Sequence, residues 1–530
     1  MSFDLLIGRA RAARTPFAAL MALVLVLAAC TAPGTTGDPK GSAAPGGQAA
    51  DAAIAKVKVS VSTRVVSLDP KVGSDAASCH AVHLTSGQLY RYDVNKNPVP
   101  DLVATRTASA DGLTVTFALK PNLKYSDGTA FKADDVVFAY QRQKDKGTRA
   151  TAISSVASVE APNDTTVVFK MSSLFLDLET QLAECNVIAM HPRAKVEADP
   201  KYFEKPVSAG PYFVKEWTPG TASILLAENP NYPNGPMAVK EIEQVEVADT
   251  TSRVLQVATG QVQWGYDLPL AARASLPGEV TQKVHPIGGV YHLQFNLEQT
   301  GVLSDAKVRQ AISLAIDRDQ VNTKAFFGAA PPVKSWIYAC GPLCATGVLP
   351  KDGARDVAAA KALIAQTPFA SGGAFTIQVG ATRPGWKEAA LVIAENLKDI
   401  GLTVKVDPVE DAVWVANSNS GNYQSIFTGL AATPHGMLGH YFGKGGIIQG
   451  WTRYNNTEIQ ALVLKAGSEP DLAARTALFT QIQKLGYADM NAVPIGERAV
   501  LIGSRVPKDA VHAVPNHFLY RVKTLAEYGR

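Results

Sequence analysis

The chain has 530 residues, 46% hydrophobic and 18% charged, which is ordinary globular material and too much chain for a single core, so two or three domains are expected. Its formal net charge is +4, from 51 Lys and Arg against 47 Asp and Glu, and no clustered basic run occurs. Nucleic acid and other polyanions are therefore excluded as partners.

Arg9, Arg11 and Arg14 precede an uncharged apolar run from Phe17 to Ala29. The run is short for a membrane span and of the size of a signal-peptide core. It ends Leu27-Ala28-Ala29-Cys30, a small-residue cleavage site followed at once by cysteine. That string resembles a bacterial lipobox, in which Cys30 is lipidated and becomes the first mature residue; the alternative is a plain secretory signal with an incidental cysteine. Taking the leader's three arginines and Asp4 from 51 and 47 leaves +2. Thr31 to Ala50 is almost wholly Ala, Gly, Pro, Ser and Thr, the composition of a flexible tether of roughly 25 Å. A globular body is expected from about Lys56, outside the cytoplasm.

Val57 to Val61 alternates as a strand, and Ser67-Leu68-Asp69-Pro70 leads into a helix expected over Asp75 to Tyr92. Asp111-Gly112 is a turn, after which Leu113, Val115, Phe117 and Leu119 alternate with Thr114, Thr116 and Ala118, the pattern of a half-buried strand. Ser126-Asp127-Gly128 turns again, and Asp134-Asp135 place two carboxylates in the first turn of a helix carrying Val137, Phe138 and Tyr140. Thr165–Met171 and Tyr212–Trp217 read as further strands, the latter entered through Gly210-Pro211. Asp249 to Asp267 reads as helix then strand. From Val290, Tyr291, Leu293, Phe295 and Leu297 alternate; Ser304-Asp305 caps a helix with Val308, Ala311, Ile312, Ala315 and Ile316 at helical spacing. Phe375/Ile377/Val379, a helix from Gly385 to Ile400, a stop at Gly401 and Leu402/Val404/Val406 form a β-α-β unit, whose strands should run parallel.

Several of these strings stand in a particular order. Pro98 to Phe138 contains S-x-DG-x-T-x-TF-x-L and SDGT-x-F-x-A-DDVVF; then come Ser208-Ala209-Gly210-Pro211-Tyr212, Asn229-Pro230-Asn231-Tyr232 and VRQAISLAIDRDQV at 308–321. Together they resemble the extracellular solute-binding proteins of the dipeptide, oligopeptide and nickel type (family 5), the receptors of ABC importers. The resemblance implies a mixed α/β fold of periplasmic-binding-protein type II, with two lobes around a cleft and an extra domain inserted in the first lobe. The expected division is 1–30 lipoprotein signal peptide, 31–55 tether, 56–92 first lobe, 93–204 extra domain, 205–285 first lobe again, 286–499 second lobe and 500–530 the last part of the first. The implied partners are a small-molecule or peptide-like ligand, an ABC permease and a membrane reached through the lipid, with a monomer as the working form and no cofactor. The implied location is the periplasm or the outer face of the cell membrane.

Ligand contacts follow in part from position. Arg383 stands just beyond a strand of the β-α-β unit, where open α/β sheets bind ligands, and Arg383-Pro384 matches the R-P dipeptide whose arginine pairs with a peptide carboxylate in the dipeptide branch. Trp386 beside it, Asn296 at the family's strand asparagine, and Ser78 at the start of the first helix join the set. The family's aspartate for the ligand ammonium has no counterpart: Thr428-Gly429-Leu430-Ala431-Ala432-Thr433-Pro434-His435 stands there, and no acidic residue occurs from Ala412 through Thr457. That segment offers Thr433, His435 and Trp451, with His440, Tyr441 and Lys444, suited to a neutral or anionic, partly apolar solute.

His435 with His440 raises a nickel or metal-chelate receptor as the alternative. An extracytoplasmic hydrolase is the alternative of another class, without a motif to support it: there is no G-x-S-x-G, no G-x-G-x-x-G, and Gly443-Lys444 is followed by Gly445. Beyond Cys30, the four cysteines are even in number. Cys340–Cys344 is expected as a loop clip and Cys79–Cys185 as a second bridge.

Overall fold

The computed structural model describes residues 52–529, except 73–74, 146, 148–149, 186, 339–342, 344–346 and 515–518. Cys30, the leader, most of the tether and the Cys340–Cys344 clip lie outside the described residues.

Strand β1 (Ile54–Val61) begins two residues ahead of Lys56 and buries Val57, Val59 and Val61. Helix α1 (Ala76–Thr85) is capped by Asp75, whose carboxylate accepts from the Ser78 N–H at 2.9 Å. It stops at Thr85, not at Tyr92. Beyond it Tyr90–Tyr92 pairs with Pro98–Pro100, since tyrosines two apart bury together on one side of a strand. The segment leads into the extra sheet.

That sheet is antiparallel, ordered β2-β3-β5-β4, from β2 (Val103–Ala108), β3 (Thr114–Leu119), β4 (Val156–Asn163) and β5 (Thr166–Met171). Val115, Phe117 and Leu119 face inward, with Phe117 edge-on to Phe169 at 5.5 Å. Helix α2 (Ala133–Lys144) covers the sheet, and Asp135 accepts from the Lys132 N–H at 3.0 Å. Cys79 of α1 is bonded to Cys185, with Cα atoms 5.4 Å apart.

The chain then builds β6 (Tyr212–Glu216), β7 (Ser223–Glu228), β8 (Val239–Glu246), α3 (Thr250–Ala258) and β9 (Trp264–Leu268). A 15-residue strand follows, β10 (Thr281–Phe295), then α4 (Ala306–Ala315) and α5 (Arg318–Phe326). Next come β11 (Gly373–Gly380), α6 (Trp386–Lys398), β12 (Leu402–Val409), α7 (Asp411–Ser420), β13 (Ser425–Ala431) and α8 (Pro434–Phe442). Helix α9 (Leu472–Asp489) precedes β14 (Ala492–Ser504), a strand of 13 residues.

These strands make one ten-stranded sheet in the order β12-β11-β13-β10-β14-β9-β1-β8-β7-β6. At its centre β10 and β14 pair antiparallel from Thr281↔Ser504 to Gln294↔Ala492. β10 pairs with β13 only from Gly289 onward, and β14 with β9 only from Leu501 onward. Each therefore serves the second lobe with one half and the first with the other. β11 and β12 pair in parallel from Gly373↔Leu402 to Gly380↔Val409. Phe375, Ile377 and Val379 are buried against Ala390, Ile393 and Leu397 of α6, each large side chain contributing about 1.5–3 kcal/mol.

Candidate functional site

Consecutive residues of β10 show which elements cover which face. Tyr291 stacks on Phe326 of α5 at 4.3 Å, and His292 meets Tyr441 of α8 at 5.2 Å. Strand alternation sends the two side chains to opposite faces. β11 and β13 run parallel, so their carboxyl ends, followed by Arg383 and Thr433, lie on one edge of the second lobe. Here β10 also breaks register, between Pro286 and Gly289, with Gly288 at φ +81°. A bulge with a left-handed glycine is a bend built into a strand common to both lobes.

The bend itself, through Ile287 and Gly288, borders a cavity of about 460 Å³; a separate cavity of about 260 Å³ opens beside the two central strands on the α5 face. The first lobe supplies Asp267, the crossover strands supply Tyr291 and Arg498, and the second lobe supplies Phe326, Arg383 and Trp386. The turn from β11 into α6 passes through Gly385 at φ +78°, where an added Cβ would stand 2.7 Å from the Phe326 ring; glycine lets the chain close over that ring. Arg383 forms an ion pair with Asp411, Nε to Oδ2 at 2.7 Å, and its guanidinium carbon lies 5.5 Å from the Trp386 ring centroid. Trp386 packs edge-on against Trp414 at 5.3 Å. Burial pushes the Tyr291 hydroxyl up to about 12, with Arg498 lowering and Asp267 raising it.

The cavity of about 460 Å³ and another of about 350 Å³ lie between the extra-domain side and the second lobe. Thr433 borders both, but its hydroxyl caps α8 by accepting from the Gly436 N–H at 3.1 Å. His435 borders the smaller and stacks on Phe479 at 6.1 Å; burial lowers its pKa, Asp177 raises it, and Arg475 lowers it further. His440, Lys96 and Glu184 border the larger. Among the described residues no three His, Cys, Asp or Glu side chains are grouped to hold a metal ion.

The structure thus brings Arg383 and Trp386 together, and Thr433 and His435 together at separate cavities. Asn296 is buried and donates to the Gly421 carbonyl at 2.8 Å. Trp451 donates to Asn419 at 2.8 Å and packs on Trp414. The buried Ser78 hydroxyl accepts from the Val66 and Ser67 N–H groups at 2.9 and 3.2 Å. None of these three borders the three cavities. Asp267 and Arg498 line the 260 Å³ cavity as well and were not among the expected contacts; Asp267 ends the helix-strand segment 249–267, and nothing local in the sequence marks Arg498.

The model for bacterial extracellular solute-binding proteins, family 5, matches residues 97–448. The chain is 25% identical over 447 residues to the probable D,D-dipeptide-binding periplasmic protein DdpA of Escherichia coli (strain K12), covering 80% of this chain and 84% of that one. It is 25% identical over 454 residues to the oligopeptide-binding protein AppA of Bacillus subtilis (strain 168), covering 77% and 80%. Among solved structures it resembles the ABC transporter substrate-binding protein CtaP of Listeria monocytogenes, with TM-score 0.79, 20% identity, and 90% and 99% of the two chains covered. With the family model matched across well over half its length, the chain belongs to the family 5 bacterial extracellular solute-binding proteins.

Proposed function

We propose that this protein is the receptor of an ABC importer, capturing a small peptide-like or other organic solute between its lobes and delivering it to a membrane permease. The observation that carries this reading is the hinge cavity, walled by the first lobe, the second lobe and the two strands that join them. A solute seated there touches both lobes at once, so it stabilises the closed arrangement through contacts that the open one lacks. The bend at Pro286–Gly289 gives the lobes an axis for that motion. The dipeptide and oligopeptide names of the relatives support a peptide-like solute. Binding and release need no covalent step, so the reading is of a monomeric receptor and not an enzyme. Lipidation of Cys30 would hold it at the periplasmic or outer face of the membrane.

Native mass spectrometry of the gently purified chain, repeated after denaturing release, tests the proposal. A stoichiometric solute released unaltered, rebinding saturably without consumption, is the expected result. Chemical turnover of that solute would overturn it. Labelling with a lipid precursor, abolished by Cys30→Ser, checks the anchor.

A further inference from the structure

We infer that the hinge cavity is a zwitterion site, in which Asp267 takes the ammonium and Arg498 the carboxylate of a small amino-acid-like or dipeptide-like solute with an apolar side chain. The inference deepens the receptor reading and rests on it.

Asp267 is half-buried at the end of β9 in a left-handed conformation, φ 55°. Only its backbone carbonyl is engaged, accepting from Arg253 Nη2 at 2.9 Å. Its carboxylate has no hydrogen bond or ion pair among the described residues. Aspartate is one of the few non-glycine residues that accept this backbone conformation. Among the described residues, the hydrogen bond of Arg498, half-buried on β14, goes to the Gly429 carbonyl at 3.5 Å. No carboxylate among the described residues lies within ion-pair distance of it.

The two charges are neighbours without being partners. The buried phenols of Tyr266 and Tyr291 each sit in the field of both, raised by Asp267 and lowered by Arg498 beside the dominant effect of burial. A gap between opposite unpaired charges is what an amino acid or short peptide fills with its own two termini. Arg383 is different: Asp411 already neutralises it at 2.7 Å within its own lobe. Arg498 is therefore the guanidinium left for a ligand carboxylate. The carboxylate missing from 412–457 of the second lobe is supplied instead from the first. Tyr291, Phe326 and Trp386 offer the apolar side chain its surface, and a volume of about 260 Å³ suits a small solute, since pockets for larger ligands run to roughly 300–1,000 Å³. Glu388, exposed at the rim in the first turn of α6, adds negative charge at the mouth.

Calorimetric titration of the full chain with L-leucyl-L-leucine, its N-acetyl form and its C-terminal amide tests the assignment. The free dipeptide should bind at least tenfold more tightly than either blocked form. Asp267→Asn keeps a residue that tolerates the left-handed backbone; it should lose about tenfold for the free dipeptide and bind the acetylated one equally well, with Asp267→Gly as the second variant. Arg498→Met should erase the preference over the amide, while Arg383→Ala should cost less than about threefold. Wild-type protein that binds blocked and free forms alike, variants that keep both preferences, or no binding of the free dipeptide would each overturn the inference. A co-purified solute of another class, released unaltered, would remove the zwitterion assignment yet leave the receptor reading standing; turnover of the solute would remove both.

Discussion

The backbone of Gly289 lies directly against the Leu430 carbonyl, so that a Cβ on residue 289 would overlap that oxygen. Gly289 is where β10 begins to pair with β13, opposite Ala431, immediately after the bulge that bends the strand. Gly289→Ala would push β10 off β13 at the junction of the lobes. The expected loss is about 1–3 kcal/mol, as for other overpacked substitutions, read as a lower urea midpoint. Gly288→Ala, at φ +81°, should lose about 1–2 kcal/mol through backbone strain alone. Unchanged midpoints for both would mean that the strand relaxes freely and is no fixed hinge.

Stability should fall as pH drops from 6.5 toward 5. Burial holds His191 and His292 at about 3 and His512 at about 4, against an ordinary value of 6.5. In that window the unfolded chain takes up protons that the folded chain refuses, so each histidine removes about 2 kcal/mol by pH 5. Glu527, held at about 2 mainly against its own burial by Arg521, acts in a lower window, below about 4.5. Melting temperatures at pH 7.5 and pH 5 check this, and His292→Gln should flatten the slope. A flat profile in the parent chain would contradict the buried neutral state.

Much of this fold was legible because local patterns there matched tertiary burial. The Phe375/Ile377/Val379 alternation, the helix between the strands and the Gly401 stop all describe an element whose two sides meet known neighbours. The first half of β10 was not legible, because Pro286, Gly288 and Gly289 are residue types that interrupt strands, whereas the structure uses them as a bend within one strand. Arg383 and Trp386 could be placed from the strand they follow. Asp267 and Arg498 could not: their meaning comes from β9 and β14 being neighbours in the sheet while lying more than 200 residues apart in sequence. Asn296, Ser78 and Trp451 were visible as polar or aromatic residues, but only hydrogen bonds within the fold reveal how each is engaged.

Cys79→Ala with Cys185→Ala should cost about 3–5 kcal/mol, because the bond closes a sequence separation of 106 residues and so restricts the unfolded chain strongly. Both residues are buried, at 1% and 0% exposure, so reductant alone should leave the native protein oxidised until denaturant opens it. Equal urea midpoints for the double variant and the parent would mean that the link between α1 and the extra domain adds nothing to stability.

Asp411 is expected to act as a clamp on the Arg383 turn. Its carboxylate pairs with Arg383 Nε at 2.7 Å and accepts from the Thr382 hydroxyl at 3.0 Å, and it opens α7 at the end that favours negative charge. The ion pair is partly exposed, with side chains 40% and 29% accessible, so by itself it is worth no more than about 1 kcal/mol. Asp411→Ala removes the pair, the hydroxyl bond and the helix-end charge together and should lose about 1–2 kcal/mol. Asp411→Asn keeps an acceptor for Thr382 and should lose about half as much. Arg383→Ala removes the pair and the contact with the Trp386 ring but leaves the hydroxyl bond and the helix-end charge, and should lose least. Urea midpoints in that order support a positional role; an Asn variant as unstable as the Ala variant would instead assign the whole effect to charge.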